Sequence, residues 1–255
     1  MTREIVCLPS DRTAPTVEDV ARELATARRS KPALRLFWDS TIGKKAVMAA
    51  TGLLFVVFLL AHMAGNLKIF FGAGTFDHYA SWLRTIGEPV LPYAWFLWIQ
   101  RVALVVALVL HVVAAVQLSR RDRKARPVRY VHGQRPRASF ATHTMRWGGA
   151  TLAVYIVWHI LDLTVGVANQ DFVAGQPFHN VVVDFQVWWV DVIYLVALLM
   201  LGLHINHGFW SAAQTLGIKS ASRDRTIKTV GSVLAVVITG GFMIVPIAVM
   251  AGWVS

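Results

Sequence analysis

Five apolar stretches, each long enough to match the thickness of a bilayer core, divide this chain of 255 residues. They run from about Ala46 to Phe71, Leu91 to Leu118, Trp147 to Val167, Val187 to Ala213 and Val230 to Trp253. A helix rising ~1.5 Å per residue needs ~20 such residues to cross the hydrocarbon. Charges inside the stretches are confined to Lys68, Arg101, Asp162 and Asp191, all toward the ends. Helices of a soluble bundle keep a polar face, and these have too little polar surface for one. The pattern predicts an all-α integral membrane bundle of five transmembrane helices over residues 41–255. Residues 1–40 read as a polar tail. Within it, Thr16 to Arg29 puts Val17, Val20, Ala21 and Leu24 on one helical face. Thr16 stands three residues before Asp19, so a short helix starting on capping-box logic is expected there.

Composition agrees, with 56% hydrophobic and 15% charged residues, against roughly 25% charged in a soluble domain. The formal charge of +11 raises nucleic acid as a partner, but its distribution points elsewhere. Nine Lys or Arg precede Ala46, nine lie between Arg120 and Arg146, and four between Lys219 and Lys228. The opposite ends of the stretches hold only Lys68, Arg84 and Arg101. Such alternation is the positive-inside pattern, and no nucleic-acid motif accompanies it. It predicts a cytoplasmic amino terminus, five crossings and a carboxyl terminus outside. Cys7 is the single cysteine, which excludes an internal disulfide and a thiolate-held iron–sulfur cluster within this chain. The first 40 residues are too polar for a cleavable signal peptide, so the first span is expected to direct insertion.

Histidine is where the chemistry concentrates. His78 and His179 fall in outer loops, and His132 and His143 in the basic inner loop, where solvated side chains are the simple reading. The other five lie in spans: His62, His111, His159, His204 and His207. Coordinating side chains in hydrocarbon are costly and mark functional sites. Helix rise places His111 and His204 roughly 12 to 14 Å from the inner boundary, with His159 at about 18 Å and His62 at about 24 Å. Two levels result, about 8 Å apart, each served by two different helices.

Two stacked bis-histidine haems b would need that arrangement. Such an iron has no open position for oxygen, so it exchanges electrons. Zinc or di-iron sites call for cysteines or carboxylates, and no span carries a Glu-x-x-His pair. His207, three residues after His204, points to an adjacent face. It is a candidate contact for a propionate or quinone, with a plain interhelical hydrogen bond as the simpler alternative.

Particular segments also resemble a known family. Gly43-Lys44-Lys45, Thr51-Gly52 and His62-Met63-Ala64-Gly65-Asn66-Leu67 resemble the first span of the cytochrome b membrane subunit of succinate dehydrogenases and fumarate reductases. Phe76, Tyr79, Ala80 and Leu83 resemble the segment that follows. Leu203 to Ser211 with Gln214-Thr215-Leu216-Gly217 is similar to the fourth span of that family. The resemblance covers about Ser40 to Trp253 and implies the single-chain, five-helix, two-haem form. By resemblance, His62 and His159 hold the outer haem iron, and His111 and His204 the inner. It also implies a plasma-membrane respiratory-chain complex with a flavoprotein subunit and an iron–sulfur subunit on the cytoplasmic side. Those partners carry the dicarboxylate chemistry of the tricarboxylic acid cycle. This chain would bind haem and quinone, with menaquinone the expected type, and anchor the complex.

Quinone chemistry needs a lipid-accessible pocket with proton-exchanging groups. Inner candidates are Trp38, Ser40 and Lys44; outer candidates are Asn66, Arg84 and Arg101. Arg101 is also a candidate for an outer-haem propionate, with snorkelling as the equal alternative, and Arg146 reads chiefly as a positive-inside anchor. The last span has no histidine, and Gly240, Gly241 and Pro246 suggest close packing or a bend. Rival readings are a hydrogenase-linked cytochrome b, a haem-free proton-coupled transporter, and a haem-free anchor whose histidines only crosslink helices.

Overall fold

A computed structural model describes residues 16–22, 32–125, 140–218 and 222–255, with side chains at 140–144 excepted. Cys7, Leu24, His132, His143 and Lys219 lie outside the described residues or side chains. Among the described residues the chain is helical, with no strand. It divides into two units, Met1–Lys44 and Lys45–Ser255.

In the first unit, Thr16 and Asp19 form the expected reciprocal start. The Thr16 hydroxyl donates to the Asp19 carboxylate at 2.7 Å. Its oxygen accepts the Asp19 N–H at 3.2 Å, while the Thr16 N–H reaches the same carboxylate. Those bonds hold the Asp19 carboxyl below its ordinary range. Helix α1 covers Ala33–Asp39. Ser40 then ends one helix and starts the next: its hydroxyl donates to the Phe37 carbonyl and accepts the Gly43 N–H, both at 2.8 Å. That is N-capping, which satisfies an otherwise orphaned helix donor.

Five helical segments are long and apolar enough to cross a membrane. They are α2, Thr41–Asn66 with a 3₁₀ turn to Phe71; α4, Trp95–Lys124; α5, Phe140–His159, continued as a π turn Ile160–Val165; α7, Trp188–Thr215; and α8, Asp224–Met250. The expected spans are all present with shifted ends. The second starts at Trp95, four residues after Leu91, because Pro89, Pro92 and the left-handed Ala94 (φ 64°) keep the preceding residues in turns. The third stops at Val165 because Gly166 turns left-handed, at φ 84°. The fifth starts six residues before Val230, its first turns exposed and polar.

The connections at one end of the bundle are more ordered than loops. They contain α3, Ala73–Thr85, and α6, Pro177–Phe185. The Asp77 carboxylate accepts the Phe178 N–H at the start of α6, at 2.9 Å, where a helix favours negative charge. Ile69, Phe76, Phe185, Val190, Val249 and Val254 share one core there. This helix-capped end therefore also holds the carboxyl terminus.

Backbone approach is closest between α7 and α8, then between α5 and α7. Helices α2 and α4 approach the other spans less closely, and only about a tenth of their most apolar windows is buried (11%), against 33% for α7 and α8. Gly241 fulfils the expected close packing, since a Cβ there would run into the Met63 side chain of α2. Gly240 faces open space. Pro246 is buried inside α8 without ending the helix.

Gly241→Val is expected to destabilise the bundle by about 1–3 kcal/mol, the usual cost of overpacking. Gly240→Ala should leave it within about 0.5 kcal/mol. Denaturant unfolding in a fixed detergent separates the two, and equal effects would contradict this packing.

Candidate functional site

Four histidines from four helices meet in two pairs. His62 of α2 and His159 of α5 have ring centres 6.0 Å apart. His111 of α4 and His204 of α7 are 6.2 Å apart. These are the pairs expected from depth. Thr51 and Gly52 of α2 lie beside His111, and Gly149 of α5 lies beside His204. Gly52 and Gly149 each precede the other pair's histidine by ten residues, so the levels are ~15 Å apart along the helices. That exceeds the ~8 Å reckoned from span ends, because α2 begins at Thr41 and α5 at Phe140, earlier than expected.

Hydrogen bonds assign the tautomers. The Thr51 hydroxyl donates to the Val47 carbonyl at 2.7 Å, so its oxygen is left to accept from His111 Nδ1, at 2.9 Å. The Tyr194 hydroxyl donates to Asp162 at 2.8 Å, so its oxygen accepts from His159 Nδ1, at 3.2 Å. In each level one ring thus carries its proton on Nδ1 and keeps a bare lone pair on Nε2. An imidazole that ligates a metal is held in this way by its outer partners. His204 Nδ1 is buried without a partner. Phe58 stacks on His62 at 5.3 Å and Tyr155 on His159 at 5.7 Å, fixing ring orientation.

Other candidates fall away from the pairs. His207 packs on Trp210, with ring centres 5.8 Å apart. Arg101 is exposed and lies over Trp98, 5.1 Å from its centre; Arg146 is exposed as well. Arg84 donates to the Ala80 carbonyl of its own helix, and Asn66 is half-buried at the end of α2. In the first unit, Trp38, Ser40 and Lys44 do converge. Lys44 is 1% exposed; its ammonium donates to the Trp38 carbonyl and sits 5.3 Å from the Trp38 ring centre.

Beside His159 is a group that the sequence reading left unassigned. Asp162, Asp184 and Asp191 are all buried, together with Tyr194. The available signal was Asp162, a charge in a span three residues after a candidate ligand. The π turn that carries it is a feature common at functional sites.

No family model, curated protein or solved structure matches the chain.

Asp184, in α6, has its carboxyl pushed up to about 8, first by burial, then by the charge of Asp162 and the hydrogen bond to it, and by Asp191. The native state therefore keeps a proton that the unfolded chain releases near 3.8, and stability falls as pH rises between those values. A pH series of thermal unfolding should show this decline from about 4 to about 8, and Asp184→Asn should flatten it. An unchanged slope in the variant would contradict the assignment.

Proposed function

We propose that this chain is the membrane anchor and cytochrome b subunit of a succinate:quinone oxidoreductase, holding two haems b between paired histidines. The observation that carries the reading is the pairing itself. A metal–imidazole bond is about 2 Å long, so two rings gripping one ion from opposite sides have centres about 6 Å apart. Both pairs match that spacing, at 6.0 and 6.2 Å.

The residues fit the group in three further respects. The donor set at each level is two neutral imidazoles, one with its lone pair assigned by the Thr51 or Tyr194 bond. Glycines stand beside both rings of one pair: a Cβ at Gly52 or Gly149 would come within 3.7 or 3.6 Å of the imidazole. All four histidines are half-buried by protein, and α2 and α4 approach the other spans less closely than α7 and α8 approach each other. Among the described residues no group of three or more His, Cys, Asp or Glu is placed for a metal ion. A haem asks this chain for only two ligands.

Bound there, the haems supply one-electron transfer with no open coordination position. His62 and His159 would hold one iron, His111 and His204 the other. Thr51 and Tyr194 orient the rings through Nδ1. The basic segments support a cytoplasmic amino terminus by the positive-inside rule, and on this reading the iron–sulfur and flavoprotein subunits dock on that face of the plasma membrane. On this orientation the helix-capped end faces outward. Lys44, Trp38 and Ser40 of the first unit form the candidate quinone contact.

Single alanine variants test the reading by haem content and by reduced-minus-oxidised absorbance. His111→Ala and His204→Ala should each remove the same one of two haems, and His62→Ala and His159→Ala the other. Variants from different pairs that remove the same haem would refute the assignment. Co-purification of the chain with subunits that reduce quinone with succinate tests the choice of partner.

A further inference from the structure

An open cleft of about 590 Å³ lies at the start of α8, lined by Asp224, Arg225, Lys228, Thr229, Ser232 and Val233. Nothing in the haem reading uses it. Helix α8 turns one face inward, where Gly231, Ala235, Ile238, Val245 and Val249 are buried. Spacings of three and four residues put Arg225, Lys228, Thr229 and Ser232 together on another face, and all four are exposed.

The charges in the cleft do not cancel. The Asp224 carboxylate accepts from Trp210 Nε1 at 2.9 Å and pairs with Lys228 at 2.6 Å. The Lys228 ammonium also lies 5.5 Å from the Trp210 ring centre, which holds it in place. Among the described residues no carboxylate pairs with Arg225. Two cations against one carboxylate leave the cleft a net positive charge, with donors on Arg225, Lys228 and Thr229. Ser232 closes its deep end, its hydroxyl donating to Asn206 Oδ1 at 3.1 Å. A guanidinium flanked by further N–H and O–H donors suits a phosphodiester, which accepts hydrogen bonds and donates none.

The residues beyond Ser232 decide which phosphate. There the same face is apolar and exposed, with Val233, Val236, Val237, Ile244 and Ile247. Gly240 stands in the middle of that strip, and a Cβ there would meet nothing within 4 Å. It leaves a notch between the branched side chains of Val236, Val237 and Ile244. One leaflet of hydrocarbon is ~15 Å thick, or about ten residues of helix, so an acyl chain entering beside Ser232 runs past Gly240. Trp210, an amphipathic aromatic beside the cleft, suits the headgroup level. The cleft also lies at the basic end of the bundle, where the cytoplasmic leaflet supplies anionic lipid.

We propose that this face of α8 binds one anionic phospholipid of the cytoplasmic leaflet, its phosphate held by Arg225, Lys228 and Thr229 and an acyl chain laid along Val233, Val236, Val237 and Gly240. The site stands apart from the haem reading, and failure of either leaves the other untouched. It gives Gly240 a role distinct from the close packing of Gly241.

The test is native mass spectrometry of the full chain, purified in mild detergent and titrated with dioleoyl phosphatidylglycerol or dioleoyl phosphatidylcholine. One phosphatidylglycerol per chain should be retained in preference to phosphatidylcholine. Arg225→Gln should weaken that retention about fivefold, whereas Arg146→Gln, at an exposed basic position on α5, should leave it unchanged. Gly240→Leu should lower retention of the dioleoyl lipid severalfold and spare dihexanoyl phosphatidylglycerol, whose chains are too short to reach the notch. Glycerol phosphate should not compete. Equal retention of the two dioleoyl lipids overturns the proposal. So does an equal loss in Arg225→Gln and Arg146→Gln, which would mean general attraction by basic residues. Competition by glycerol phosphate would make this a site for a soluble phosphate, and a lipid-free dimer would put a second copy on this face; either result overturns the lipid assignment. The wild-type preference and the Gly240→Leu result decide the matter even if Arg225→Gln fails to fold.

Discussion

An imidazole in hydrocarbon has two nitrogens to satisfy, one donor and one acceptor, and lipid satisfies neither. That constraint shapes this bundle. At His111 and His159 the Nδ1 proton goes to a hydroxyl whose own proton is already committed, to a helix carbonyl from Thr51 and to Asp162 from Tyr194. Nε2 then keeps its lone pair, and the centre of a second ring from another helix lies 6.0 or 6.2 Å away. A bundle needing only polar crosslinks would satisfy these groups with each other. On the proposed reading, a haem iron between the rings of each pair is the partner for the lone pairs that remain.

The helices divide the work accordingly. Helices α7 and α8 pack backbone to backbone and carry most of the buried apolar surface. Helices α2 and α4 contribute histidines while standing farther off. The helix-capped end is built differently again, with α3 and α6 closing over buried polar groups held by Asp77, Asn169 and Asn180. Asn180 both donates to and accepts from the Val173 backbone. These bonds satisfy connection backbone that would otherwise be orphaned under the caps. At the same end His159, Tyr194 and Asp162 are joined by hydrogen bonds.

Much of this was legible from residue order. Five apolar stretches and four histidines at two depths follow from helix rise and hydrophobicity, which act locally along the chain. The pairing of His62 with His159 and His111 with His204 was likewise accessible. Span ends were less so, because polar first turns such as Asp224 to Lys228 extend a helix without altering its apolar core. The short helices α3 and α6 are set by tertiary contacts such as Asp77 with Phe178, 101 residues apart. The link from His159 through Tyr194 to Asp162 needs α5, its π turn and α7 to converge, and only Asp162 announced itself, as a charge in an apolar run. Arg101, for which a propionate contact and snorkelling were equal expectations, is exposed and lies over Trp98.

The paired rings are tested most directly by counting haem b and iron in the purified chain, using pyridine haemochrome absorbance and metal analysis. Two of each per polypeptide are expected, with both irons low-spin. A chain isolated in mild detergent, correctly folded and free of haem and iron, would contradict the central claim.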